Sequence, residues 1–216
     1  TYRKWMIFLI PYRWRIYQKL MAKICEVYDD RIDLVYLNDL YRILERKLEY
    51  RASNIANAVR SKTWPYHLQG THKLFGASIF ARQHPNIIAY LNNEYGQNFF
   101  DLFQKVCDVR GVDSRRVYLQ RIDVNLQHPH CDGTLHIDSN GPQDTSGTTM
   151  MVFPNPIWDQ DWGGKFQIFS EDKSEMLEEY EYIPGRIISF PSHLPHRGLG
   201  PTKEYVYRYS IVFGIK

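Results

Sequence analysis

The residues best suited to binding a metal ion lie in the second half of the chain. His136 and Asp138 are separated by a single residue, in a segment predicted to be a strand. Side chains two residues apart in a strand point to the same face, so an imidazole and a carboxylate can reach one ion from this segment. A third ligand must come from elsewhere, and His196 is the leading candidate. This pattern predicts a metal site with two histidines and one carboxylate.

A second His-x-Asp pair, His130 and Asp132, competes for the same role. It lies between a proline and a glycine, which is typical of a turn, where alternation of faces is not assured. A single pair of this kind is a weak motif, and His128 and His193 are equally compatible with the surface. We therefore favour the pair at 136 and 138. Two histidines and one carboxylate leave coordination positions open, as in non-haem Fe(II) oxygenases.

Arg208 is a candidate for binding a carboxylate. The stretch from residue 204 to 213 alternates as a strand, with Arg208 and Ser210 on one face and aromatic and apolar residues around them. A buried guanidinium needs a partner, and its planar fork fits a carboxylate through two hydrogen bonds. Arg208 could instead face solvent or pair with an internal acid such as Asp123.

The elements that must position these residues change character along the chain. Apolar residues recur every three or four positions between residues 32 and 48, which predicts a helix, and a second helical stretch follows Pro85. After Ser114 short β-branched and aromatic runs alternate with turn residues. They predict strands near 116–126, 133–138, 148–154, 164–170, 179–183, 186–190 and 204–213, and a further strand is compatible with residues 74–80. The pattern indicates an α+β chain with a β-sandwich or barrel core.

The overall composition is that of an ordinary globular protein. The 216 residues carry a net charge of +3, which does not by itself argue for nucleic-acid binding. Three widely spaced cysteines make a disulfide framework or a thiolate zinc site improbable and favour a reducing compartment, so we expect a cytoplasmic protein. The longest early apolar run, residues 5–10, is too short to span a bilayer.

Taken together, these segments resemble the Fe(II)/2-oxoglutarate-dependent dioxygenase superfamily, in particular its prolyl-4-hydroxylase-like branch. The resemblance covers roughly residues 115–216. It is carried by residues 133–138, 149–164, 183–190 and 194–196 and by the triplet Arg208-Tyr209-Ser210. Their order and spacing match the family, and Arg208 lies twelve positions beyond His196.

The resemblance implies a double-stranded β-helix (jelly-roll) core at 115–216, supported by a mainly helical segment at 1–114, within a single domain. It implies that His136, Asp138 and His196 bind Fe(II). Arg208 would anchor the co-substrate 2-oxoglutarate, with Ser210 beside it and Thr149 helping to hold the same carboxylate. Ascorbate would be a candidate auxiliary reductant.

The reaction implied is oxidative decarboxylation of 2-oxoglutarate to succinate and CO2, coupled to hydroxylation of a substrate C–H bond. The branch suggests a prolyl residue of a peptide or protein, and Trp158 and Trp162 are candidate aromatic surfaces for its ring. The sequence departs from the family at Lys165, where a glutamate is usual after the Gly-Gly pair. That change weakens any transfer of substrate preference.

Three other functions stay open. A non-catalytic jelly-roll binding module would bind neither metal nor 2-oxoglutarate. A nucleic-acid-modifying dioxygenase is suggested by the first 25 residues, where six basic residues, no acidic residue and several aromatic rings are interleaved. A zinc or manganese hydrolase could use the same ligands, but it offers no role for Arg208.

Overall fold

The computed structural model describes residues 24–50, 74–82 and 94–216. Within these ranges the helices are α1 (Leu34–Arg46) and α2 (Gly96–Arg110), and the short 3-10 turns are Ser114–Arg116 and Gln160–Trp162. The strands are β1 (Glu26–Tyr28), β2 (Leu74–Ala81), β3 (Leu119–Gln127), β4 (Thr148–Val152), β5 (Phe166–Phe169), β6 (Met176–Tyr180), β7 (Ile187–Pro191), β8 (His196–Gly198) and β9 (Arg208–Ile215).

The strands form two antiparallel sheets. The larger has the order β1-β7-β4-β9-β3-β2, and the smaller has the order β6-β5-β8. An apolar cluster joins the two sheets face to face, with Met151 and Val212 from the larger and Phe166 and Ile168 from the smaller. The described residues therefore form the predicted jelly-roll core, with antiparallel strands crossing between the sheets.

The larger sheet has one face toward the helices and one toward the interior of the jelly roll. In β9 the odd-numbered residues Tyr209, Ile211 and Phe213 pack in the cluster that also contains the buried residues of α1 and α2. Because strand side chains alternate, the even-numbered residues, beginning with Arg208 and Ser210, face the interior. The strand therefore carries a packing surface on one side and the candidate co-substrate residues on the other.

The two helices support this sheet from outside. Helix α1 begins after Asp33, whose carboxylate accepts hydrogen bonds from the backbone N–H groups of Val35 (2.8 Å) and Tyr36 (3.1 Å). Helix α2 ends at Arg110 and is followed by Gly111, whose left-handed backbone (φ 71°) suits glycine. Their buried residues join the outer cluster of the larger sheet. Within the described ranges, neither helix is long and apolar enough to cross a membrane.

The strand predicted at residues 133–138 does not form. His136 makes a single antiparallel bridge with His196, and Asp138 lies in a bend. The backbone N–H groups of Gly133, His136 and Asp138 donate to the carbonyls of Gly198, His196 and Ser192. The register between these two segments shifts at each step, so a regular ladder cannot develop.

Two other boundaries differ from the predictions. The strand predicted at 179–183 lies at 176–180, and the last strand begins at residue 208 rather than 204. Tyr205 has a left-handed backbone (φ 63°), which ends any extended run before β9. Helix α2 begins at Gly96. The helical stretch predicted after Pro85 and the basic N-terminal segment lie largely outside the described residues.

Candidate active site

His136, Asp138 and His196 converge inside the jelly roll. One ligand atom from each lies within 4.8 Å of the others. The Nε2 atoms of His136 and His196 lie 3.7 and 3.6 Å from the two carboxylate oxygens of Asp138, and the ring centroids are 4.4 Å apart. Across the described ranges, this is the one group of three or more potential ligand side chains that meets such a distance criterion. The three side chains could hold a single metal ion.

Both imidazoles are oriented in the same way by the backbone. Nδ1 of His136 lies 2.9 Å from the carbonyl oxygen of Thr134, and Nδ1 of His196 lies 2.9 Å from that of Leu194. A carbonyl oxygen only accepts, so each Nδ1 carries the proton and each Nε2 keeps a lone pair directed toward Asp138. This is the arrangement by which proteins usually hold histidine ligands of metals.

The environment keeps these imidazoles neutral. Burial, together with the nearby imidazole of His196, lowers the pKa of His136 to about 4, although Asp138 acts in the opposite direction. Burial also lowers the pKa of His196, again against the attraction of Asp138. At neutral pH both rings therefore offer lone pairs rather than positive charge. His196 is enclosed by the rings of Phe166 and Phe190, whereas His136 keeps 28% of its side chain exposed.

Asp138 is held as an ionised carboxylate by two further residues. Its Oδ1 accepts a hydrogen bond from Arg121 Nη2 (2.8 Å), and its Oδ2 accepts one from Thr149 Oγ1 (2.9 Å). Burial alone would raise its pKa, but Arg121 and the two imidazoles outweigh that effect and the pKa lies well below its ordinary value. Arg121 was not identified from the sequence.

Thr149 is not brought together with Arg208, contrary to the expectation that both would hold one carboxylate. In the sheet, Thr149 lies opposite Gly214, six residues along β9 from Arg208. At about 3.3 Å per residue this amounts to roughly 20 Å along the strand. The Thr149 hydroxyl instead donates to Asp138, and Ser192 Oγ lies 3.0 Å from it. Thr149 therefore lies at the candidate metal site, as a hydrogen-bond donor to Asp138, and does not lie beside Arg208.

The competing pair, His130 and Asp132, does not join the cluster. His130 has a left-handed backbone (φ 59°), and its exposed ring lies 3.2 Å from Glu204. The carboxylate of Asp132 accepts a hydrogen bond from the backbone N–H of Gly200 (2.9 Å). Both residues therefore connect two loops at the surface. His128 packs between the rings of Phe75 and Tyr207.

Arg208 is fully enclosed in the interior without a carboxylate partner among the described residues. Its Nε donates to the carbonyl oxygen of Gly164 (2.9 Å), and its Nη1 donates to Oε1 of Gln127 (2.7 Å). Its Nη2 is buried and has no hydrogen-bond partner. Asp123, the internal acid considered as an alternative partner, pairs with Arg121 at 2.7 Å. Burial lowers the pKa of Arg208 to about 10, against the effect of Tyr182.

The surroundings of Arg208 fix its guanidinium in place. The guanidinium carbon lies 5.1 Å from the ring centroid of Phe153 and 5.3 Å from that of Tyr182. A Cβ at Gly198 would come within 3.0 Å of Nη1, so the guanidinium passes directly over this glycine. Gly198 is two residues after His196 in β8 and therefore shares its face. The anion-binding group and the candidate metal ligands thus occupy one interior space.

Gln127 is the second residue that sequence reasoning missed. Its Nε2 donates to the carbonyl oxygens of Cys131 and Gly198, which leaves its Oε1 directed at Arg208. A signal was available, because β3 places Arg121, Asp123 and Gln127 on one face and Ile122 and Val124 on the other. Such polar alternation in a strand with both faces covered indicates a polar interior wall.

The remaining candidates take up positions around Arg208. Ser210 is buried on the same face of β9, opposite Asn125 of β3. The ring centroid of Trp158 lies 4.1 Å from that of Tyr182, in a tilted arrangement, and 5.6 Å from that of Trp162, edge to face. The Nε1 of Trp158 donates to the carbonyl oxygen of Gly163. Trp158 therefore belongs to the packing behind Arg208.

Comparisons with known proteins agree with this geometry. Residues 119–215, slightly less than half of the chain, match the family model described as 2OG-Fe(II) oxygenase superfamily. These residues include every residue of the candidate site. No curated protein matches the chain.

Similar solved structures cover most of the chain at low sequence identity. An oxidoreductase of the 2OG-Fe(II) oxygenase family from Burkholderia pseudomallei is 14% identical, with a TM-score of 0.63, covering 92% of this chain and 88% of that one. A prolyl hydroxylase from Trichoplax adhaerens, solved with a hypoxia inducible factor oxygen degradation domain peptide fragment, is 16% identical, with a TM-score of 0.57 and coverages of 97% and 92%. The α-ketoglutarate-dependent epimerase SnoN from nogalamycin biosynthesis is 11% identical, with a TM-score of 0.59 and coverages of 96% and 83%.

At these identities the structural likeness establishes the fold, while the family model supplies the chemistry. The matched segment contains both the cluster of His136, Asp138 and His196 and the buried Arg208. Residues 119–215 therefore match the 2OG-Fe(II) oxygenase superfamily, whose members are oxygenases that use Fe(II) and 2-oxoglutarate.

Proposed function

We propose that His136, Asp138 and His196 bind Fe(II), that Arg208 binds the distal carboxylate of 2-oxoglutarate, and that the enzyme hydroxylates a prolyl residue of a peptide or protein. The observation that carries the metal assignment is the convergence of two neutral Nε2 atoms on one ionised carboxylate. Three ligands from one side leave the other coordination positions free for co-substrate and O2.

The fit of 2-oxoglutarate rests on the incomplete hydrogen bonding of Arg208. Its Nε and Nη1 are engaged, and Nη2 is a buried donor without a partner. A buried, charged donor is costly to leave unsatisfied, and a carboxylate arriving from the interior would supply the missing acceptor. Ser210 lies two residues along the same strand face and is the nearest candidate for a second contact.

Bound Fe(II), with 2-oxoglutarate and O2, supplies the oxidising chemistry that hydroxylates an unactivated C–H bond. The chain contributes position and shielding. Phe166 and Phe190 cover the ring of His196, so that side of the centre is apolar and closed. His136 is the more exposed ligand, and we place the approach of the substrate on its side. Arg208, deep behind Gly198, would hold the co-substrate away from that opening.

The choice of a prolyl substrate is supported by the likeness to the Trichoplax adhaerens prolyl hydroxylase, which was solved with a peptide. Trp158 does not add to this support, because its ring packs on Tyr182. The likeness to the epimerase SnoN shows that the same fold accompanies other substrates, so a small molecule is the alternative that the test must include.

Nucleic acid receives little support from the described residues. The basic N-terminal segment that suggested it lies outside them. Lys165, the other basic residue in question, is paired with Glu179 and Glu181 at 2.8 Å each. The ion pairs neutralise its charge at the surface.

The test has two stages. The protein is loaded anaerobically with Fe(II), and succinate release is measured with 2-oxoglutarate and O2, with ascorbate present. Pro-rich peptides, small hydroxylatable molecules and single-stranded nucleic acid are then supplied separately, and mass spectrometry detects an added oxygen. Oxygen addition to prolyl residues alone supports the proposal. Modification of another class with unmodified peptides would leave the metal and co-substrate assignments standing and remove the prolyl one.

A further inference from the structure

Arg121 connects two buried carboxylates, only one of which belongs to the candidate metal site. Its Nη2 donates to Asp138 Oδ1 (2.8 Å), and its Nη1 donates to Asp123 Oδ2 (2.7 Å). Arg121 and Asp123 lie two residues apart on the interior face of β3, while Asp138 arrives from the loop before β4. The guanidinium therefore joins the wall of the interior to a metal ligand.

This contact creates an electrostatic conflict at the candidate metal site. A guanidinium against a ligand oxygen orients the carboxylate, but its positive charge also opposes a divalent cation at the same carboxylate. In a partly buried setting, where solvent screens charges only weakly, a unit charge a few ångströms away acts strongly on a bound cation. Asp123 lies against the same guanidinium and is itself buried. It supplies the negative charge that cancels the repulsion.

The second oxygen of Asp138 is fixed independently. Thr149 donates to Oδ2, and the Thr149 oxygen can in turn accept from Ser192. Each carboxylate oxygen thus has one hydrogen-bond donor from the protein, and the remaining lone pairs are available on the side of the two Nε2 atoms.

We propose that Asp123 is a positioning residue of the metal centre, acting through Arg121. It holds the guanidinium on Asp138 and offsets its charge, so that Asp138 is oriented without weakening its attraction for a divalent cation. The inference rests on the proposed function, because it requires Asp138 to be a metal ligand. It assigns a role in metal binding to a residue that does not touch the three ligands.

The test is a Mn(II) titration of the metal-free protein under anaerobic conditions, with Mn(II) as a surrogate that does not turn over. Asp123→Asn keeps an acceptor for Arg121 but removes the charge. It should weaken Mn(II) binding roughly 10- to 100-fold, the range found when residues that support metal ligands are changed. The double variant Asp123→Asn with Arg121→Gln removes both charges and should bind Mn(II) more tightly than Asp123→Asn alone.

Two controls separate this effect from a loss of folding. Asp29 directly follows the edge strand β1, and its carboxylate pairs with Arg186 at 2.7 Å. Asp29→Asn removes that charge and should leave the Mn(II) affinity unchanged. Asp123→Glu keeps the charge and should retain most of the wild-type affinity. Tm of each metal-free variant reports its folding. Should Asp123→Asn not fold, Asp123→Ser takes its place as the variant without the charge, both alone and together with Arg121→Gln.

The outcomes are distinct. If the wild-type protein does not bind Mn(II), or if Asp138→Ala binds it equally well, the proposed function itself fails. If the wild type binds Mn(II) and Asp123→Asn binds it equally well, Asp123 has no role in metal binding. If the double variant is weaker than Asp123→Asn, the loss is one of packing and the charge-offset inference is overturned. Tighter binding by the double variant than by Asp123→Asn supports it.

Discussion

A single methyl group added at Gly198 should separate co-substrate binding from metal binding. The Cβ of alanine at this position would lie 3.0 Å from Arg208 Nη1 and 3.1 Å from Gln127 Oε1. Both distances are shorter than ordinary van der Waals contact with carbon. The two atoms are joined by a 2.7 Å hydrogen bond, and Arg208 is held on its other side by Gly164. The guanidinium therefore cannot move aside without losing a hydrogen bond.

The magnitude follows from that loss. A hydrogen bond to a charged group contributes about 1.5–3 kcal/mol, and about 1.4 kcal/mol corresponds to a factor of ten in affinity. We expect Gly198→Ala to weaken 2-oxoglutarate binding by roughly 10- to 100-fold. Mn(II) affinity should stay close to that of the wild type, because His136, Asp138 and His196 keep their contacts. The assay combines Mn(II) titration with 2-oxoglutarate titration of the Mn(II)-loaded protein.

Gly141→Ala is the matched control, since the nearest atom to its Cβ would be a glutamine side-chain oxygen at 3.6 Å. It should change neither affinity. The reasoning would be refuted by a Gly198→Ala protein that binds 2-oxoglutarate as tightly as the wild type. A parallel loss of Mn(II) and 2-oxoglutarate binding would also count against it, because it would indicate that the whole site had been disturbed.

Three further predictions concern the site directly. His136→Ala and His196→Ala should each abolish Fe(II)-dependent succinate release, whereas His130→Ala should retain most of it; the reverse result would reassign the ligands. Arg208→Ala should raise the 2-oxoglutarate requirement steeply, by a cost of about 3–5 kcal/mol for a lost buried charge partner, while Mn(II) titration stays near wild type. The pKa of His136 is lowered to about 4, from about 6.5 when unfolded. Unfolded chains thus bind more protons as pH falls from 6.5 toward 4, so the free energy of unfolding of the metal-free protein should decrease over that window, less so in His136→Gln.

The sequence alone determined which residue types were available for chemistry and which faces of the strands they occupy. The alternation of β9 predicted that Arg208 and Ser210 would share a face, and both are buried on the interior side of that strand. Strand alternation depends only on local backbone geometry, so the sequence reports it directly. The spacing of short strands and turn residues predicted a sandwich or barrel, the family resemblance implied that it is a jelly roll, and the jelly-roll core is confirmed.

The tertiary contacts of these residues could not be predicted from the sequence in the same way. The segment carrying His136 and Asp138 was predicted to be a regular strand, but the two residues are brought together by one bridge to His196 and a bend. Thr149 was expected to share a carboxylate with Arg208, and this expectation was wrong. The residue of β9 that Thr149 of β4 faces depends on the register of the sheet, which places Thr149 opposite Gly214. A register is a long-range property, and a shift of one residue changes every neighbour.

Only the tertiary structure revealed that Arg121 joins Asp138 to Asp123 and that Gln127 holds Arg208. In the sequence these residues are part of a polar alternation whose partners are unknown. Charges buried in the interior must find partners, but which partners they find is decided by how two sheets and a returning loop pack around one space. The candidate metal ligands could therefore be predicted from the sequence, whereas the hydrogen bonds and ion pairs that orient them depend on the fold.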